Sequence, residues 1–83
     1  MHKAYPNPFN PTTKISFTLP VQRDVTISIY NLQGSEVTSL VNGNIEAGYH
    51  SVQWNARNYS SGVYFIKIFA GDYQNTQKLV LLK

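Results

Sequence analysis

The chain has 83 residues, no cysteine and a formal net charge of +3. That length gives one small domain with a modest core, and the missing cysteines exclude a thiol nucleophile, a cysteine-ligated zinc and a disulfide framework. Lys3, Lys14, Arg23, Arg57, Lys67, Lys78 and Lys83 are scattered along the chain, so the charge makes no nucleic-acid footprint, which needs clustered cations.

No apolar run approaches the ~20 residues that span a bilayer, and Met1-His2-Lys3 leads into no apolar leader region. If the protein is exported, the chain is expected to be a piece of a longer precursor. Residues 1–4 are then read as a remnant of linker or cloning origin, and residues 5–83 as a single domain.

The opening stretch crowds Pro6, Pro8 and Pro11 together. Each proline fixes its own φ, lacks an N–H and pushes the preceding residue toward extended backbone. Tyr5, Asn7 and Asn10 are therefore extended or turn-like, and a helix is excluded. A segment that cannot donate at these positions cannot be a central strand. It is expected to be an edge arm ending where alternation begins at Ile15.

Ile15, Phe17 and Leu19 alternate with polar residues, and so do Val25, Ile27 and Ile29; both runs predict half-buried strands. A polar turn at Gln22, Arg23 and Asp24 separates them. Asn31-Leu32-Gln33-Gly34 is a second turn, with Gly34 free to take positive φ. A short strand follows over Glu36–Val41, then a turn at Asn42-Gly43-Asn44. His50, Val52 and Trp54 share one face of the next strand, with Trp54 the expected centre of the core. Asn55–Gly62 is a polar loop. Val63–Phe69 is the most strand-prone segment, Gly71-Asp72 turns it, and Thr76–Lys83 closes the chain.

No helical periodicity is present. The fold class is all-β, an immunoglobulin-like β-sandwich of about seven antiparallel strands in two sheets. The core set is Ile15, Phe17, Leu19, Val25, Ile27, Ile29, Val52, Trp54, Tyr64, Ile66, Ile68, Leu79 and Leu81. Val63, Phe65 and Phe69 take the opposite face, as do Val80 and Leu82. If the last two strands are neighbours, they form an apolar patch of the kind that marks interfaces.

Catalytic chemistry is poorly provided for. Asp24, Glu36, Glu46 and Asp72 lie apart, at turns and strand ends. His50 reads as a packed strand histidine, not a general base. A triad with Ser51 or Ser61 has no nucleophile-elbow pattern behind it. His2 and His50 have no metal-ligand spacing, and no phosphate loop is present. Ser61–Ile68 faintly echoes an RNA-recognition strand, but that fold needs helices the chain lacks. No metal, cofactor or nucleic acid is expected, and the chain is read as no enzyme.

The run Tyr5-Pro6-Asn7-Pro8-Phe9-Asn10-Pro11-Thr12-Thr13, continued by Ile15, Phe17, Leu19 and Pro20, resembles the opening of the C-terminal sorting domain, type A, of the type IX secretion system. It is also similar to the related immunoglobulin-like domain of flagellar hook-capping proteins. Gly48-x-His50-x-Val52-x-Trp54 is similar to the family's middle motif, Ser61–Lys67 to its glycine–tyrosine strand and Lys78–Lys83 to its terminal strand. Ser35 stands where many members carry glutamine.

The resemblance implies a non-catalytic signal on a cargo protein that has crossed the inner membrane and is in transit in the periplasm. The outer-membrane translocon and shuttle proteins would recognise it. A sortase-like cysteine protease would then cut near or before Tyr5, leaving the cargo extracellular or on the cell surface. The residues it marks are Pro6, Asn7 and Pro8 in the arm, Gly62 and Tyr64 in the middle strand, and Lys78, Leu79, Val80, Leu81, Leu82 and Lys83 at the end. Their expected roles are recognition and presentation. The competing reading is a structural or adhesive immunoglobulin-like accessory domain, or a hook-cap-like assembly module. A third is carbohydrate binding through Tyr59, Phe65, Phe69 and Tyr73. Self-association through Val63–Phe69 or Leu79–Leu82 is the hazard of exposed edges.

Overall fold

A computed structural model describes residues 1–83. It contains strands β1 (Thr12–Leu19), β2 (Arg23–Tyr30), β3 (Glu36–Ile45), β4 (Gly48–Asn55), β5 (Gly62–Ala70) and β6 (Tyr73–Leu81). They form two antiparallel sheets, β1-β4 and β3-β2-β5-β6. The architecture is all-β and compatible with an immunoglobulin-like sandwich. It has six strands where about seven were expected. The opening arm supplies isolated bridges instead of another full strand: Tyr5 pairs antiparallel with Lys14, and Phe9 pairs parallel with Leu81.

Alternation dictates the layering. In β1 and β5 every second residue is buried, which puts Ile15, Phe17 and Leu19 opposite Tyr64, Ile66 and Ile68. Trp54 closes one end of the core, with Tyr64 edge-on at 5.3 Å and Phe9 at 5.6 Å between ring centres. Of the expected core set, Val52 alone is only half-buried; it packs against the cluster from β4. Ala4, Phe9, Ala56 and Ala70 complete it. Ala4 lies within residues 1–4, the stretch read as a remnant outside the domain. Here that stretch packs on the sandwich, and the His2 amide donates to the Ser16 carbonyl at 2.8 Å.

Asn42-Gly43-Asn44 is a correction. These residues continue β3 through Ile45, paired with Thr26, Val25 and Asp24 of β2. Backbone pairing to a long neighbour overrides the local turn preference. The reversal falls later, at Glu46-Ala47. Arg23 and Asp24 likewise belong to β2, and the last strand begins at Tyr73, before Thr76. The β2–β3 ladder shifts register twice, leaving Leu40 and Val37 without a partner in β2. Such bulges bend a strand and re-aim its side chains, and both residues pack against the core.

Candidate functional site

Only part of the marked set comes together, and it does so along one seam. The arm crosses from β1 to the outer edge of β6. Its first half is tied to β1: Tyr5 and Lys14 exchange both backbone hydrogen bonds at 3.0 Å. The buried Thr13 hydroxyl donates to the Pro6 carbonyl at 2.8 Å. The peptide bonds before Pro6, Pro8 and Pro11 are all cis. Beyond Pro6 the arm turns to β6.

Because the prolines have no N–H to offer, side-chain amides replace part of the ladder. Asn7 Nδ2 donates to the Lys78 carbonyl at 2.9 Å, and Asn7 Oδ1 accepts from the Val80 amide at 3.0 Å. Phe9 then continues with ordinary backbone bonds. Its amide donates to the Val80 carbonyl at 2.9 Å, and its carbonyl accepts from Leu82 at 3.0 Å. Nearer the chain start the relation is reversed. Gln77 of β6 uses its side-chain amide on the arm, accepting from the Ala4 amide at 2.8 Å and donating to the His2 carbonyl at 2.5 Å.

The edge of the last strand is therefore already occupied from Lys78 to Leu82. This corrects the expectation that Leu79–Leu82 presents backbone to another chain. Val63–Phe69 presents none either, because β5 lies between β2 and β6. The outer edges of β3 and β4 have no strand beside them, and neither does the first part of β6, from Tyr73 to Thr76.

The other marked residues divide by direction. Leu79, Leu81 and Tyr64 point into the core, and the Tyr64 hydroxyl donates to the Ser60 carbonyl at 2.7 Å. Gly62 opens β5 at φ 150°, a backbone setting that side-chain-bearing residues rarely adopt. Lys78, Val80 and Leu82 take the opposite face of the sheet from Leu79 and Leu81. Lys83 is pinned at the β4–β5 loop, its amide donating to Ser61 Oγ at 3.1 Å and its Nζ to the Arg57 carbonyl at 2.6 Å.

Sequence reasoning named Phe9 as part of a signature without giving it a task. It is 2% exposed. The available signal was one large apolar side chain set among prolines and asparagines. Gln77 left no comparable signal, since nothing in the sequence says which polar residue of β6 faces the arm. Tyr59 and Tyr73, grouped with Phe65 and Phe69 as sugar-stacking aromatics, lie elsewhere. Tyr59 packs on Trp54 at 5.5 Å, and Tyr73, paired with the inward-facing Ala70, takes the opposite face of the sheet from Phe69. His50 stacks on Phe17 at 5.4 Å, with Nε2 2.7 Å from the Glu46 carbonyl.

A family model described as "Secretion system C-terminal sorting domain" matches residues 3–82. The chain belongs to that family. This sorting domain is a C-terminal secretion signal of the type IX system, and a cargo carrying it is directed to the cell surface or the extracellular space. The match does not favour a structural or adhesive accessory domain. It begins at residue 3, among residues the fold packs against β1 and β6. No curated protein and no solved structure matches the chain.

Proposed function

We propose that the export signal is read at the seam between arm and last strand. Pro6, Asn7 and Pro8 and the outward residues Lys78, Val80 and Leu82, with Lys83, form the surface that is recognised. Gly62, Tyr64, Leu79 and Leu81 present it from beneath. The observation that carries this reading is the Asn7 side chain, bonded to both Lys78 and Val80. It fuses the two most distinctive stretches of the sequence into one surface, although they lie at opposite ends of the chain.

The partners in this reading are the outer-membrane translocon and shuttle proteins, met during passage through the periplasm. A sortase-like cysteine protease then cuts upstream of the seam. The domain's own role is recognition, not bond-making. The resemblance of the opening to the immunoglobulin-like domain of flagellar hook-capping proteins fits a fold used to dock onto a larger assembly.

The test is export of a periplasm-directed fluorescent reporter carrying residues 1–83 at its C-terminus, in a type IX-competent host and in a translocon mutant. Deleting Lys78–Lys83 would remove the buried Leu79 and Leu81 and unfold the sandwich, so the informative variant is Lys78→Ser/Val80→Thr/Leu82→Ser, which spares the core. Export of the parent alone, with both proteins folded, is the expected result. Equal export of the variant would overturn the seam as the reading surface.

A further inference from the structure

The two ends of the sandwich differ. Trp54 seals one of them, packed on Phe9 and Tyr64. At the other, where β1 finishes and β6 starts, the sheets part around a cavity of about 240 Å³. Phe17 and Leu19 of β1 line it on one side, and Ile68 and Ala70 of β5 on the other. Met1 and Tyr73 complete it, the terminal ammonium donating to the Tyr73 hydroxyl at 2.8 Å.

One wall residue is out of keeping with the rest. In β2, Val25, Ile27 and Ile29 point into the core, and the two-residue period carries Arg23 to the same inner face. Its Nη1 donates to the Ala70 carbonyl at 3.0 Å. Its Nε–H is shut off from solvent and has no partner. A buried donor left unpaired is costly, and the charge it carries makes an anion its best acceptor. Water suits the site poorly. A held water needs about two to four polar partners, and six of the nine lining residues are hydrophobic.

The acids at this end do not fill that role. Asp24 lies on the outer face of β2 and takes a hydrogen bond from Asn44 at 3.2 Å. Glu46 and Asp72 are exposed in the connections between strands. None of them pairs with Arg23, whose side-chain bond goes to Ala70. Their charge is screened by solvent, so they weaken an anion's binding without competing for the donor.

Cavity and donor together select the ligand. A cavity of ~150 Å³ takes up benzene, so this larger one holds a phenyl ring on a short alkyl stem. An aspartate or glutamate side chain brings the charge without the apolar body. An internal phenylalanine or leucine brings the body without the charge. A free aryl- or alkyl-carboxylate, or a peptide that ends in such a residue, brings both. We propose that this end of the sandwich binds a monocarboxylate with an apolar body of phenylpropyl size, the body between the sheets and the carboxylate on Arg23 Nε. The inference stands apart from the sorting reading.

The test adds hydrocinnamate to the isotope-labelled chain and follows its backbone amide and arginine Nε–H resonances by NMR. Two further arms use N-acetyl-glycyl-phenylalanine, the chain-terminal form of the same chemistry, and hydrocinnamyl alcohol, which has the body without the charge. Shifts are expected at Leu19, Ile68 and Ala70 and at the Arg23 Nε–H, with the acid bound about tenfold or more tighter than the alcohol. Arg23→Gln should remove that advantage and leave alcohol binding unchanged. Ala70→Leu, which fills the cavity, should remove both, with each variant shown to be folded by thermal melting. Tighter binding of hydrocinnamate than of the peptide assigns a free acid as the ligand, and the reverse assigns a chain terminus. No shift at the Arg23 Nε–H, equal affinity for acid and alcohol, an acid affinity unchanged in Arg23→Gln, or shifts confined to residues outside the cavity would overturn the proposal. The Arg23 signal is read in the parent chain, so the outcome does not depend on either variant folding.

Discussion

The side-chain amide of Asn7 occupies the edge of β6 at Val80 as a strand backbone would: Oδ1 accepts from the Val80 amide at 3.0 Å while Nδ2 donates to the carbonyl of Lys78 at 2.9 Å. Asn7 stands between Pro6 and Pro8, so its side chain supplies a donor where the neighbouring backbone has none. Only a side chain with both a donor and an acceptor on one planar group can do this.

Asn7→Ala removes both bonds at once. Each hydrogen bond contributes about 0.5–1.5 kcal/mol net, and this site is exposed, so a loss of about 1–2 kcal/mol is expected in urea denaturation. Amide exchange at Val80 should quicken more than at Leu79, whose side of the strand faces β5. Asn7→Asp keeps the acceptor but sets a carboxylate oxygen against the Lys78 carbonyl. It should be no better than alanine.

Phe9→Ala should cost far more. The ring is 2% exposed against Trp54, and emptying such a position costs about 3–5 kcal/mol. The arm should then come away from β6, with proteolysis between Asn7 and Pro11 as the readout. Retained protection of the arm in a folded Phe9→Ala protein would show that the amide contacts alone hold it.

Gly62→Ala and Gly71→Ala separate two reasons for a glycine. An added Cβ at Gly62 meets nothing within 4 Å, so the expected loss is backbone strain alone, about 1–3 kcal/mol. At Gly71, with φ 63°, the added Cβ would also collide with the Arg23 guanidinium, which donates to the Ala70 carbonyl at 3.0 Å. Gly71→Ala should therefore disturb the Arg23 side-chain resonances by NMR, and Gly62→Ala should not.

Tyr64→Phe tests presentation against recognition. It removes the bond to the Ser60 carbonyl at 2.7 Å and should cost about 1 kcal/mol, read as a lowered melting temperature. Reporter export should be unchanged at a growth temperature where the variant stays folded. Export lost from a fully folded Tyr64→Phe domain would make the hydroxyl part of what the partner reads.

The two-residue alternation in Ile15–Leu19, Val25–Ile29 and Tyr64–Ile68 was enough to determine an all-β fold and nearly all of its core, because a pleated strand sends successive side chains to opposite faces. The proline spacing at Pro6, Pro8 and Pro11 likewise settled that the opening is an edge element, since a residue without an N–H cannot sit inside a ladder. The reach of β3 was not legible. Asn42-Gly43-Asn44 has the composition of a turn, and its strand pairing with Asp24–Thr26 is a long-range contact that outweighs local preference. Nor was the seam legible. That Asn7 meets Lys78 and Val80, that Gln77 returns the contact to His2 and Ala4, and that Phe9 fills the space beside Trp54 all depend on two chain ends being brought side by side by the packing of the sheets. Local sequence specifies which way a residue points along its own strand; which strand lies next to it is decided by closing the core.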